Sequence, residues 1–171
     1  MPLTFRPIER EDLRQLQIWR NLPEIRNRCR EYRLLSMENQ INWFESLADD
    51  KSVCMFAVEF EDHLIGVCGL TGINWVNRGA ELSIYIGPDA VRRTGHGKET
   101  VKKLLEIAFT ELNLNRVWLE CYQFNQPGLR LFESCGFISE GVLREHVFKN
   151  GWYVSSVMMG ILKSEWEKSN V

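Results

Sequence analysis

The sequence predicts a mixed α/β fold of about seven strands and four helices, in a single domain over residues 1–171. Three observations lead there. Apolar and polar residues alternate with period two in "GAELSIYIG" (79–87), the mark of a strand. Apolar residues then recur at helical spacing as Val101, Leu104, Leu105, Ala108 and Leu112. Strand-like and helix-like segments interleave along the chain without a linker, a repeat or a low-complexity stretch.

The elements follow in order. "LTFRPI" (3–8) reads as a first strand. "EREDLRQLQIWRN" (9–21) has an acidic start and apolar Leu13, Leu16 and Trp19, so it reads as a helix. "SMENQINWFESLADD" (36–50) is a second helix with Ser36 as its N-cap. "VCMFAVEF" and "LIGVCGLTGIN" are continuous apolar runs joined at "EDH", which suits strands covered on both faces. In 79–87, Leu82, Ile84 and Ile86 point one way and Glu81, Ser83 and Tyr85 the other. A helix spans about 97–112, and "RVWLECYQ" (116–123) is another strand. "NQPGLRLFESCG" (125–136) reads as a short helix, capped by Asn125, with Pro127 in its first turn and Gly136 at its end. A hairpin turning at "KNG" closes the fold.

Composition bounds the function. A chain of 171 residues holds one domain with a real core and is short for two. A hydrophobic fraction of 44% and a charged fraction of 26% fit a soluble globular protein. The net charge of −2 gives no global basic field, so nucleic acid is not an expected partner. Basic residues do cluster at 25–33 and 92–98. The N-terminal stretch lacks the apolar core of a signal peptide, and no apolar run is long enough to span a bilayer. Five cysteines, odd in number and never spaced C-x-x-C, read as reduced thiols. The expectation is a cytoplasmic monomer or homodimer. The scattered His63, His96 and His146 offer no metal-ligand spacing, so no metal is expected.

"VRRTGHGKET" (91–100) lies between a strand and a helix, where glycine-rich basic loops hold phosphates. A Walker A loop fails, because Glu99 follows Lys98 and Arg92 stands where the first glycine belongs. A dinucleotide fingerprint fails at Thr100, its third glycine position. The pattern Q/R-x-x-G-x-G/A fits at every fixed position: Arg92, Arg93, Thr94, Gly95, His96, Gly97. Glycines allow a tight turn with N–H groups inward, the helix start adds its dipole, and Arg92, Arg93 and Lys98 add charge at the rim. Such a cradle suits a pyrophosphate without a metal.

With these residues the chain resembles the GNAT superfamily of acetyl-CoA-dependent N-acetyltransferases along essentially its whole length. A second family motif, N-x-x-A/G-x-x-x-Y/F-x-x-x-G-F, is met by Asn125, Gly128, Phe132, Gly136 and Phe137. The flanks "WRNLPEIRN", "AELSIYIGP" and the C-terminal hairpin are similar to one branch. That branch holds ribosomal-protein alanine N-acetyltransferases and the pseudaminic-acid-pathway enzymes that acetylate a UDP-linked 4-amino-4,6-dideoxy sugar.

The resemblance implies a GNAT-like fold, acetyl-CoA as co-substrate, and direct attack by a primary amine in a ternary complex. An ammonium with a pKa near ~10.4 must first lose a proton. Glu81 is the candidate base; its alternative is a strand-end carboxylate paired with Arg78. Ile84, Tyr85 and Ile86 would supply the oxyanion donor and pair with the pantetheine arm. Asn125 would both cap its helix and bond the pantetheine. Phe132 departs from the family, which often has a proton-donating tyrosine there; Tyr122 is a weak substitute. The acceptor site is expected from Trp19, Arg20, Asn21, Arg30, Tyr32 and Trp75. In 19–33 arginines outnumber glutamates, which favours an anionic acceptor such as the nucleotide-linked amino sugar; a ribosomal-protein N-terminus is the alternative, and a non-catalytic acetyl-CoA-binding module a third.

Overall fold

In the computed structural model, which describes residues 3–88 and 95–169, the chain folds around one seven-stranded sheet. The strands are β1 (Thr4–Arg6), β2 (Cys54–Phe60), β3 (His63–Asn74), β4 (Gly79–Ile86), β5 (Arg116–Tyr122), β6 (Ile138–Lys149) and β7 (Trp152–Leu162). The helices are α1 (Leu13–Asn21), α2 (Pro23–Arg26), α3 (Met37–Ser46), α4 (His96–Glu106), α5 (Gln126–Glu133) and α6 (Lys163–Ser169). The sheet order is β1-β2-β3-β4-β5-β7-β6. All neighbours are antiparallel except β4 and β5, which are parallel.

Period-two residues on the sheet feed two cores. Leu82, Val117 and Leu119 join Val101, Leu104 and Leu105 of α4 and Phe132 of α5 in one cluster. Ala57 and Val67 join Leu13, Leu16, Trp19 and Ile25 of α1 and α2 on the other. Coverage on both faces is why β2 and β3 read as unbroken apolar runs. Leu16 and Leu104 are fully buried, and each such side chain contributes about 1.5–3 kcal/mol over leaving it exposed.

Local signals end the elements where expected. Ser36 Oγ accepts the Asn39 N–H at 3.1 Å, capping α3. The β6–β7 turn holds Asn150 and Gly151 both at positive φ (52° and 87°), the requirement of a two-residue type I′ turn. Two helices beyond the expected four appear. Pro23 starts α2 at a position where its missing N–H costs nothing. Trp166 anchors α6 against Phe109, ring centroids 5.5 Å apart. A π-helical turn, Ile107–Glu111, extends α4 and buries Phe109 completely, while Leu112 is only partly buried. Among the described residues no helix is long and apolar enough to cross a membrane.

Candidate active site

The site exists because β4 and β5 pair only briefly. The parallel ladder covers Gly79–Arg116, Ala80–Val117 and Glu81–Trp118, and then the two strands part. From Ser83 to Ile86 the backbone of β4 has no ladder partner on the β5 side among the described residues, while β3 continues to pair on the other. Unpaired strand backbone needs a partner of its own, and an extended ligand can supply one.

A cavity of about 940 Å³ opens at this gap. It runs from Arg20 and the connection 27–36, past Glu81 and Glu120, to Gly95, Gly97 and Lys98 at the start of α4 and Asn125 at the start of α5. Ile84, Tyr85, Ile86 and Phe132 also line it. Sequence motifs far apart in the chain thus meet on one surface.

At one end lies the start of α4. Gly95 caps the helix at φ 86°, a left-handed conformation that glycine adopts without strain, and a Cβ there would meet nothing within 4 Å. Its carbonyl accepts from Lys98 N and Glu99 N at 3.0 and 3.1 Å. The N–H groups of His96 and Gly97 precede the first intrahelical bond and belong to the positive end of the helix. His96 itself is buried against Phe60, ring centroids 4.4 Å apart, rather than facing the cavity. Arg92, Arg93 and Thr94 lie outside the described residues.

At the start of α5, Asn125 Oδ1 accepts the Gly128 N–H at 3.3 Å. A Cβ at position 128 would fall 2.4 Å from Asn125 Nδ2, so glycine keeps that cap intact. Phe132 is buried and meets Phe137 edge-on at 5.8 Å. The open backbone of β4, the glycines of α4 and Asn125 fit a CoA arm: an extended strand-like portion in the gap and an anionic end at the helix start.

The middle of the cavity carries the charge. Glu81 does not pair with Arg78; the Arg30 guanidinium grips it through both carboxylate oxygens, Nη1 to Oε2 at 3.0 Å and Nη2 to Oε1. Arg30 also reaches Glu120 Oε2, at 3.1 Å from Nη2. The two carboxylates are well covered, with side chains 16% and 9% exposed, while Arg30 stands 56% exposed above them. Oε1 of Glu120 is buried without a hydrogen-bond partner among the described residues. His146 Nε2 approaches it only to 3.9 Å.

Tyr122 lines the same cavity. Its hydroxyl is buried and without a partner among the described residues, and burial, then the Glu120 charge, push its pKa up to about 12. It therefore keeps its proton throughout the physiological range. Lys149, reaching in from the end of β6, donates to the Cys29 carbonyl at 2.6 Å and lies over the Tyr122 ring at 5.6 Å. Burial lowers its pKa.

The remaining sequence-predicted acceptor residues divide. Arg20 lines the cavity and lies over the Tyr85 ring at 5.6 Å. Trp19 is 7% exposed in the α1 core, where it fills the space a Cβ at Gly87 would occupy. Asn21 clamps Leu35 through both its carbonyl and its amide. Tyr32 and Trp75 are exposed and outside the cavity lining, and the Trp75 indole donates to the Lys51 carbonyl. Glu120 escaped the sequence reading. The signal for it was present: alternation in "RVWLECYQ" sends Val117, Leu119 and Cys121 inward and Glu120 the other way. Its significance needs the adjacency of β4 and β5.

The fold and the cavity define an acyl-CoA-dependent transferase, and the comparison with known families agrees. The acetyltransferase (GNAT) domain family matches residues 2–138, and this chain belongs to it. The protein is an acetyl-CoA-dependent N-acetyltransferase of a primary amine. Among its relatives, the spermidine N(1)-acetyltransferase of Vibrio cholerae serotype O1 is 33% identical over 165 residues, 96% of this chain and 95% of its own. The crystal structure of spermidine N-acetyltransferase from Vibrio cholerae in complex with CoA and spermine matches with a TM-score of 0.91 at 32% identity, covering 96% of this chain and 98% of that one. Acetyltransferase PseH of Campylobacter jejuni is 23% identical over 133 residues, 78% of this chain and 81% of its own. No group of three or more metal-ligating side chains is gathered among the described residues.

Proposed function

We propose that the acceptor is a polyamine of the spermidine class, and that its reacting ammonium is seated and deprotonated by Glu81 and Glu120. One observation carries this reading: two well-covered carboxylates converge at the point where β4 and β5 part, with a cation between them. A carboxylate pair that one guanidinium can span binds positive charge and repels the phosphates of a nucleotide sugar. The full-length likeness to spermidine acetyltransferases supports the same choice. It replaces the UDP-linked amino sugar suggested by the flanking stretches. The arginine excess behind that expectation is answered from elsewhere in the fold. Arg30 is met by Glu81 and Glu120, which reach it from β4 and β5.

When bound, acetyl-CoA supplies the acetyl thioester. The chain's own residues do the rest. The carboxylates hold the ammonium and accept its proton, and Oε1 of Glu120 is the oxygen with a free lone pair for it. The unpaired β4 backbone at Ile84–Ile86 offers N–H groups to the developing oxyanion. The buried Tyr122 hydroxyl is the protonated group placed to stand in for the tyrosine that Phe132 replaces. One cavity lined by Glu81 and Glu120 and by the starts of α4 and α5 supports direct attack by the amine within a ternary complex.

The test is a panel of acceptors with acetyl-CoA: spermidine, spermine, a UDP-linked 4-amino sugar, and N-terminal alanine and serine peptides. Thiol release and product mass are read for each. Spermidine and spermine should lead in kcat/KM. Faster turnover of the nucleotide sugar or of a peptide overturns the reading, and background thiol release with every amine makes the chain a binding module.

A further inference from the structure

Arg30 sits where a substrate cation belongs. Its guanidinium bonds Glu81 on β4 and Glu120 on β5, and this is the only ion-pair bridge between those two strands among the described residues. Two carboxylates this well covered repel each other strongly when no cation lies between them. The empty enzyme therefore needs a positive charge here, and Arg30 supplies it.

The fit is incomplete. A guanidinium is a flat fork with fixed donor directions, and while it grips Glu81 with two of them it leaves Glu120 Oε1 buried and unbonded. An alkylammonium is compact, carries three donors and turns freely about its C–N bond. It can reach an oxygen that the fork misses. The seat thus has one acceptor more than its present occupant uses.

Arg30 is also built to leave. It belongs to the connection 27–36 between α2 and α3, which has no helix or strand. Its side chain is 56% exposed, so swinging it into solvent unpacks no core. The neighbouring backbone stays pinned: Lys149 Nζ holds the Cys29 carbonyl at 2.6 Å, and Glu31 accepts from Arg33 N at 3.0 Å. The side chain can therefore depart while the connection remains.

From this we infer that Arg30 is an internal placeholder for the acceptor's ammonium group, displaced when the acceptor binds, and so a residue that sets acceptor affinity by competition. The inference rests on the cationic-acceptor reading above. It predicts a specific direction, because removing a competitor strengthens substrate binding, whereas removing a substrate-binding or positioning residue weakens binding or turnover.

The experiment compares the wild type with Arg30→Ala and Arg30→Lys, using the panel amine that the wild type turns over fastest. In Arg30→Ala the KM for that amine should fall by about twofold to fivefold, the range a partly exposed ion pair supports. The KM for acetyl-CoA and the kcat should stay within about twofold, inside that same range. Arg30→Lys, which keeps a competing cation, should lie nearer the wild type. Calorimetry with the amine and desulfo-CoA should show the same ordering in Kd, independently of turnover. An amine KM that is unchanged or raised, or a kcat lower by tenfold or more (~1.4 kcal/mol of barrier), overturns the placeholder and makes Arg30 part of the acceptor site or of the support for Glu81. A nucleotide sugar or peptide as best substrate sinks the polyamine reading and leaves this comparison in force, because the amine used is then that substrate.

Discussion

Glu120 stands two residues beyond the last β4–β5 ladder pair, and Glu81 belongs to that pair; a single guanidinium, that of Arg30, spans the gap between their carboxylates. The relationship separates two roles that the sequence could assign only to one residue. Arg30 marks the oxygens that hold a cation, both of Glu81 and one of Glu120, and leaves Glu120 Oε1 over to accept a proton. Glu120→Gln should therefore lower kcat by ~10²–10⁴-fold, the usual scale of general base catalysis, with partial rescue at high pH as free amine accumulates. Glu81→Gln should act mainly on the acceptor KM. Steady-state kinetics across pH decide, and a larger kcat loss in Glu81→Gln would return the base to Glu81.

At the cofactor end, Gly97→Asp separates folding from binding. Gly97 lies in the first turn of α4, and a Cβ there would come no closer than 3.4 Å to Leu131, an ordinary contact. A carboxylate in a first turn stabilises a helix by about 0.3–1 kcal/mol. If the start of α4 holds the CoA phosphates, the same charge would face them. The Tm should hold or rise while CoA affinity falls by at least about tenfold, read by calorimetry at low salt. Unchanged affinity would remove the α4 start as the phosphate site.

Tyr122 gives a third test. Its proton is held by a pKa near 12, and its hydroxyl is buried and unpartnered in the cavity lining among the described residues. If it protonates the leaving thiolate, Tyr122→Phe should cut kcat by about tenfold to a hundredfold, at or just below the general-acid range because a thiolate leaves tolerably unaided. A poorer leaving group on the acyl donor should widen the deficit. A uniform loss across donors would mark packing instead.

Much of this was legible in the chain. Periodicity located the strands and the long helices because each buries one stripe or one face, as in Leu82, Ile84, Val101 and Leu104. Gly95, Gly97 and Asn125 were visible because turns and caps demand specific residue types at specific spacings. The short α2 and α6 carry no internal period and depend on a proline and on one tertiary contact, Trp166 on Phe109. The Glu81–Arg30–Glu120 bridge was invisible for a deeper reason. It joins the α2–α3 connection to two strands separated by α4, and charge counted along 19–33 misses carboxylates that arrive across space.

A partly buried ion pair ties the start of α1, and with it Arg20 and the connection carrying Arg30, to the end of β1. Arg6 at the end of β1 donates to both oxygens of Asp12, Nη1 at 2.6 Å and Nη2 at 2.8 Å, and the Glu9 N–H adds a bond at 2.8 Å. Burial alone would push the Asp12 carboxyl up; the Arg6 hydrogen bonds, the Glu9 N–H and the Arg6 charge together outweigh it and hold it below the ordinary aspartate value. A carboxylate with a depressed folded pKa contributes stability that is fully present above the unfolded value, near ~3.9, and is lost as pH falls through the lower folded value. Asp12→Asn should cost about 1–3 kcal/mol at neutral pH, the scale of charge-assisted bonds lost from a covered site. Below about pH 4 the wild type should lose that advantage, so the two stability curves should converge on acidification. Urea melts of both proteins from pH 7 to pH 3 measure the difference directly. Parallel curves over that whole range would mean that Asp12 folds with an unshifted carboxyl, and coincident curves that the Arg6 contact contributes nothing to anchoring α1.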